Sequence, residues 1–156
     1  MRVPPVRRKE REITDPQEME TIICKARVCH VAMVDGDRPY MVPMCFGYEP
    51  GAIYLHSADA GHKIDVLKAN PKVCVAFEGE HILIEGKTAC GFGMHYESVL
   101  AFGRARFIED PVLKRNALDV LMDHYARGSF DYPEDAFDKT RLLRVDIEHM
   151  TGKRSG

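Results

Sequence analysis

Apolar positions recur along this chain at two periods, and the alternation between them lays out its elements. Met19, Ile22, Ile23 and Ala26 fall at i, i+3, i+4 and i+7, which makes one stripe of a helix. Asp15-Pro16-Gln17-Glu18 supplies its N-cap, a proline at the first helical position and a carboxylate in the first turn. The period then shortens to two. Residues 28–34 read as a strand, Asp35-Gly36-Asp37 as a hairpin-type turn, and 38–48 as a long strand with Pro43 inside it. A proline cannot donate to a ladder, so a gap or bulge is expected at Pro43; protection of an edge strand is the other reason to place a proline there.

Glu49-Pro50-Gly51 turns the chain into a strand over 52–57, followed by a short helix over 61–69 that Asn70-Pro71 stops. Two more strands are predicted over 72–77 and 81–85, then a Gly-rich loop over 86–97 and a strand over 98–108. The small residues Ala101, Gly103 and Ala105 in that last strand predict a close approach of other backbone or of a ligand. Asp110-Pro111 caps a long helix with Leu113, Ala117, Val120, Leu121 and Tyr125 on one face, and residues 141–150 close the chain as an alternating strand. Six or seven short strands joined mostly by turns, with a few helices, predict a mainly β fold: a small antiparallel barrel with peripheral helices.

Composition narrows this picture without redirecting it. The 156 residues suit one domain, read as residues 13–156, preceded by a flexible arm over 1–12 that holds two adjacent prolines and five basic against two acidic residues. Apolar residues at 45% and charged residues at 29% exclude intrinsic disorder, collagen-like repeats and a coiled coil. A net charge of −2 offers no overall attraction for phosphate backbones, so no nucleic-acid partner is expected. No apolar run reaches the length of a membrane span, and the N-terminal segment lacks the apolar core of a secretory signal. A cytoplasmic protein with no membrane partner is expected. The five cysteines form neither a CxxC pair nor a zinc spacing, and read as small buried hydrophobes in a reducing compartment. No histidine pair has metal-ligand spacing, so no metal site is expected.

Chemistry concentrates at Leu55-His56-Ser57-Ala58-Asp59-Ala60-Gly61-His62-Lys63, where a strand ends and a helix begins. Helix N-termini carry free N–H groups and partial positive charge, which suit a phosphate. Lys63 in the first turn opposes the helix dipole unless an anion offsets it. The alternative is that Ser57 or Asp59 merely caps the helix and Lys63 points to solvent. His56 is the one histidine beside this site and the best candidate for chemistry. At Pro43 an interrupted ladder would free backbone groups for a flat ligand. Further along, Tyr96 could stack on a ring and Ser98 could donate to a phosphate. Gly91-Phe92-Gly93 lacks a strand–helix context, and the terminal Gly152-Lys153 lacks the upstream glycine of a phosphate loop.

Taken in chain order, several segments match one family in residue type and spacing: Arg38-Pro39-Tyr40-Met41-Val42-Pro43-Met44-Cys45-Phe46-Gly47-Tyr48, Ile53-Tyr54-Leu55-His56-Ser57-Ala58, Gly61-His62-Lys63-Ile64-Asp65-Val66-Leu67, Asn70-Pro71-Lys72-Val73-Cys74, Tyr96-Glu97-Ser98-Val99 and Thr151-Gly152-Lys153-Arg154. Over residues 12–154 the chain resembles the FMN-binding split barrels of the pyridoxamine 5′-phosphate oxidase-like type, and within them the nitroimidazole-resistance flavoproteins. The resemblance implies a six-stranded antiparallel split barrel that forms a homodimer, with two FMN sites at the subunit interface. Pro43 and Met44 would face the isoalloxazine through their backbone, and His56, Ser57 and Ala58 would line the flavin and its ribityl chain. Lys63 would hold the phosphate, Ser98 would add a polar contact, and Lys153 would approach the ring from the C-terminal end. Relatives usually carry Gly-Arg-Lys where this chain has Gly61-His62-Lys63, so weaker or more pH-dependent phosphate binding is expected.

The function implied is a nitroreductase-like oxidoreductase that passes electrons from a nicotinamide donor through FMN to a small acceptor such as a nitroaromatic or quinone. His56 would orient the acceptor or donate a proton. Two alternatives stand beside it. One is a non-enzymatic flavin-binding or sensing module, since one fold hosts several functions. The other is a haem-binding or haem-degrading split barrel, with His149 as the candidate axial ligand. Pyridoxamine phosphate oxidation is not expected, because no additional substrate-phosphate site can be assigned.

Overall fold

A computed structural model describes residues 5–156 of the protein. Of the arm expected over residues 1–12, residues 1–4 lie outside the described part. Lys9–Arg11 form a 3-10 turn, and Glu12–Ile13 (β1) pair with a strand near the C-terminus. α1 (Pro16–Lys25) starts where the Asp15 carboxylate accepts the Gln17 N–H at 3.0 Å, and it buries Met19, Ile22 and Ile23. β2 (Cys29–Asp35) alternates as its sequence predicts, with Cys29, Val31 and Met33 inward. Gly36, at φ 63°, reverses the chain into β3 (Arg38–Met44), a backbone state that a side chain would strain.

β3 pairs with β2 alone and forms one edge of the sheet. The gap expected at Pro43 is absent: Pro43 stands opposite His30 in unbroken register. On an edge strand a missing N–H can lie on the unpaired side at no loss to the ladder. The interruption falls instead at Cys45, so the strand expected over 38–48 is two, β3 and β4 (Phe46–Glu49). At this corner the Phe46 N–H donates to Tyr125 Oη at 2.9 Å, and Tyr125 Oη donates to the Arg27 carbonyl at 2.8 Å. Those bonds stand in for ladder contacts that the corner gives up.

Then follow β5 (Ala52–Ala58), α2 (His62–Ala69), β6 (Lys72–Ile84), β7 (Gly93–Ile108), α3 (Pro111–Tyr125), α4 (Glu134–Lys139) and β8 (Thr140–Ser155). All pairings are antiparallel, in the order β3-β2-β6-β7-β8-β5-β4, with β1 beside β8. The outermost strands β3 and β4 are consecutive in the chain and separated only by Cys45, so the sheet curls until its edges meet at that residue. The result is a barrel split along the β3–β4 seam.

The mainly β class with peripheral helices is the one the sequence predicts. Eight strands are described rather than six, for two reasons: the chain breaks at Cys45, and β1 is added. The strands expected over 72–77 and 81–85 run together as β6, with an irregularity between Glu78 and His81. β7 begins at Gly93, which shortens the loop expected over 86–97, and β8 runs on to Ser155. Ile23, Val31, Phe46, Val75, Phe77, Val99 and Val145 fill the main core, with the Phe46 and Phe77 rings edge-to-face at 4.9 Å. A smaller cluster of Ala52, Tyr54, Ala117 and Leu142 sits under α3. The cysteines depart from expectation. All five are free thiols, but only Cys29 is buried; Cys74 is half-buried, and Cys24, Cys45 and Cys90 are exposed. No described helix is long and apolar enough to cross a membrane.

Candidate functional site

The last residues of β5 alternate across the sheet. His56 and Ala58 are exposed, while Ser57 is buried, 6% exposed, opposite Arg141 of β8. The Ser57 Oγ has no hydrogen-bond partner among the described residues, and neither does the buried Arg141 Nε across from it. A buried hydroxyl left unpaired is destabilising, so a partner supplied from outside the chain fits this position.

Gly61 follows at φ 137°, with open space where a Cβ would stand, and caps α2 without a side-chain bond. Neither Ser57 nor Asp59 serves as the cap. Asp59 is drawn instead to the Arg141 guanidinium. The Gly61 carbonyl accepts the Ile64 and Asp65 N–H groups, which leaves those of His62 and Lys63 without an intrahelical partner. Lys63 is half-buried beside them. Partial burial, and after it the Lys63 charge, hold the His56 imidazole below its ordinary value, so the ring is neutral at pH 7.

His62 turns to the β2–β3 hairpin. Its Nε2 lies 2.9 Å from Asp35 Oδ2, and its ring meets Tyr40 edge-on with centroids 5.0 Å apart. This contact ties the first turn of α2 to the strand that carries Pro43, exposed, and Met44, half-buried. One group of predicted residues is thereby assembled: His56, Ser57, Ala58 and Lys63, flanked by β3.

Tyr96, Ser98 and Lys153 form a second group. Ser98 and Lys153 are register partners, Ser98 Oγ donates to the Lys153 carbonyl at 3.5 Å, and Lys153 Nζ lies 5.8 Å from the Tyr96 ring centre. Slight desolvation pushes the Tyr96 phenol upward, but hydrogen bonds from Arg11 and Lys153 and their charges outweigh it and bring the phenol below its ordinary value. The two groups are not brought together within one chain. His56 faces Leu142 at the start of β8 and Ser98 faces Lys153 near its end, eleven residues and up to roughly 36 Å of strand away.

Arg141, Asp35 and Tyr40 shape the first group, and sequence reasoning missed them. Their places follow from strand register and hairpin packing, for which adjacent residues carry no signal. Chemically, the first group offers uncapped N–H groups, a lysine ammonium and an unpaired buried hydroxyl beside an exposed strand edge. That donor set fits a phosphate joined to a flat ring. No group of three or more His, Cys, Asp or Glu side chains among the described residues is placed to hold a metal ion.

A family model described as pyridoxamine 5′-phosphate oxidase matches residues 15–154. Among solved structures, a candidate 5-nitroimidazole antibiotic resistance protein from Bacteroides thetaiotaomicron superimposes with a TM-score of 0.84 at 40% identity, over 92% of this chain and 86% of that one. A FAD-binding protein from Mesorhizobium loti superimposes with a TM-score of 0.68 at 25% identity, over 94% and 98% of the two chains. A flavocytochrome from Azotobacter vinelandii reaches a TM-score of 0.86 at 20% identity, over 97% and 72%, a likeness of fold alone. No match stands among the curated proteins.

Proposed function

Because the chain belongs to the pyridoxamine 5′-phosphate oxidase family, we propose that it is an FMN-binding oxidoreductase, nitroreductase-like, drawing electrons from a nicotinamide donor and delivering them to a small nitroaromatic or quinone. The observation that carries this reading is the start of α2, where Lys63 and two N–H groups without an intrahelical partner follow the strand end that holds the unpaired Ser57 Oγ.

Lys63 and the N–H groups of His62 and Lys63 would hold the phosphate, Ser57 and Ala58 the ribityl chain, and the β3 edge at Pro43 and Met44 the ring. When bound, the flavin supplies the hydride and one-electron chemistry, which no side chain of this protein can. Held below its ordinary value, the His56 imidazole favours the neutral form, which presents one N–H donor and one lone pair. Its task is then to orient the acceptor by hydrogen bonding. The contact with Asp35 directs His62 away from duty as a phosphate ligand and leaves Lys63 as the side-chain cation of this end.

The protein acts as a homodimer in this reading. Tyr96 and Ser98 on β7 and Lys153 on β8 sit at the opposite end of β8 from the His56 group, so they would complete the site of the partner subunit. The ribbon formed by the outer halves of β6 and β7 supports this, since it exposes Ile82, Leu83, Ile84 and Met94, an apolar surface suited to a second copy. The test is oxidation of NADH or NADPH by FMN-loaded protein with nitroaromatic and quinone acceptors, for the parent and His56→Ala. We expect acceptor-dependent turnover that slows in the variant while its FMN affinity holds. FMN binding without turnover on any acceptor would mark a non-enzymatic flavin module instead, and unchanged turnover in His56→Ala would remove His56 from the mechanism.

A further inference from the structure

α3 lies against the sheet as a wedge. Its C-terminal half is pressed close at Gly47 of β4, where an added Cβ would sit 2.7 Å from the Leu121 Cα. Its N-terminal half stands off. Leu113 lies on the same stripe as the buried Ala117 and Leu121, yet it is 56% exposed. Between helix and sheet this leaves a cavity of about 310 Å³, with Phe107, Leu113 and Ala117 on its apolar side and Tyr54, Arg106 and Arg144 on its polar side. None of the residues assigned to the flavin lines it.

The polar wall has donors to spare. Tyr54 Oη donates its proton to Glu49 Oε2 at 2.9 Å and accepts from an Arg144 terminal nitrogen at 2.8 Å. Arg144 Nε donates to Asp146 Oδ1 at 2.7 Å, and Arg106 grips the same carboxylate at two points, Nε to Oδ2 at 2.5 Å and a terminal nitrogen to Oδ1 at 3.1 Å. Two guanidinium forks, each with five N–H donors, thus share one carboxylate. The acidic groups on the lining are already engaged, Glu49 by Tyr54 and Glu109 by Arg141 at 2.9 Å. Beyond these bonds both arginines keep further N–H donors, and the apolar side of the cavity is open at Leu113.

We propose that the cavity under α3 binds a small monocarboxylate with a compact apolar body, of which benzoate is the simplest probe. Its carboxylate takes the unused donors of Arg106 and Arg144, and its ring rests on Phe107 and Leu113. The volume is at the lower end of the roughly 300–1,000 Å³ of small-molecule sites, which suits a single ring better than a nucleotide. This site stands independently of the flavin reading, because the two share no residue.

The test is calorimetric and ligand-observed NMR titration of the full chain with benzoate and with its neutral analogue benzyl alcohol, each with and without saturating FMN. We expect one benzoate per chain, benzyl alcohol at least about tenfold weaker, and no effect of FMN on either. Leu113→Trp fills the mouth from an exposed position, and Arg106→Met removes a fork; each should weaken benzoate at least about tenfold with the circular dichroism unchanged. Benzoate that never saturates, benzyl alcohol that binds equally well, competition with FMN, or indifference to Leu113→Trp in a folded variant would each overturn the proposal.

Discussion

The titration of His56 links the charge at Lys63 to the chemistry proposed beside it. Burial lowers the imidazole and the Lys63 ammonium lowers it further. Lys63→Met removes the second cause, so the His56 titration followed by NMR should move upward, toward the ordinary histidine value, and should not move down. The same variant loses a charge-assisted contact to phosphate, worth about 1.5–3 kcal/mol, so its FMN affinity should fall by at least about tenfold. His62→Arg should leave FMN affinity within about threefold of the parent, because the Asp35 carboxylate that holds the His62 ring would hold the guanidinium as well. At this scale Lys63, His56 and Ser57 were legible from residue type at the junction of strand and helix. The Asp35–His62 and Ser57–Arg141 placements were not, since 27 residues separate the first pair and cross-strand register sets the second.

Two glycines fix how closely the elements approach. Gly103, opposite the irregularity in β8, leaves no room for a side chain: a Cβ would meet the Asp146 carbonyl oxygen at 2.1 Å. At Gly47 an added Cβ would stand 2.7 Å from the α3 backbone. Gly103→Ala and Gly47→Ala should each destabilise the fold by about 1–3 kcal/mol, read as a lower urea midpoint with unchanged slope. Sequence reasoning anticipated the close approach around Gly103 from its flanking alanines, and the structure identifies the approaching group as β8 backbone. Helix starts were the most legible features, since Asp15-Pro16 and Asp110-Pro111 cap α1 and α3 as their sequences predict. Strand ends were the least legible. The outer β6–β7 ribbon is exposed along both strands, so its alternation marks no core face, and α4 buries no residue that a stripe could announce.

Over the whole molecule, the sheet order explains why the residues proposed for the flavin fall into two separated sets. β8 spans the molecule from Thr140, beside Ala58, to Ser155, beside Tyr96, so one set lies at each end. A homodimer that joins opposite ends should lose assembly and cofactor together. Leu83→Lys, placing a charge on the exposed apolar ribbon, should shift sedimentation equilibrium toward the monomer and weaken FMN binding in parallel. An intact dimer with weakened FMN, or a monomer that binds FMN normally, would separate the two and remove the shared site. The family's fold was legible from linked motifs, whereas the placing of the two sets at opposite ends of β8 needs three-dimensional register. The most direct measurement of the central claim is a titration of purified protein with FMN, followed by the visible spectrum and by quenching of flavin fluorescence, at pH values on either side of histidine titration. Saturable binding of one FMN per chain, weakened in Lys63→Met, is the expected result. No binding at any of these pH values would contradict the claim and leave this chain with the family's fold but without its cofactor.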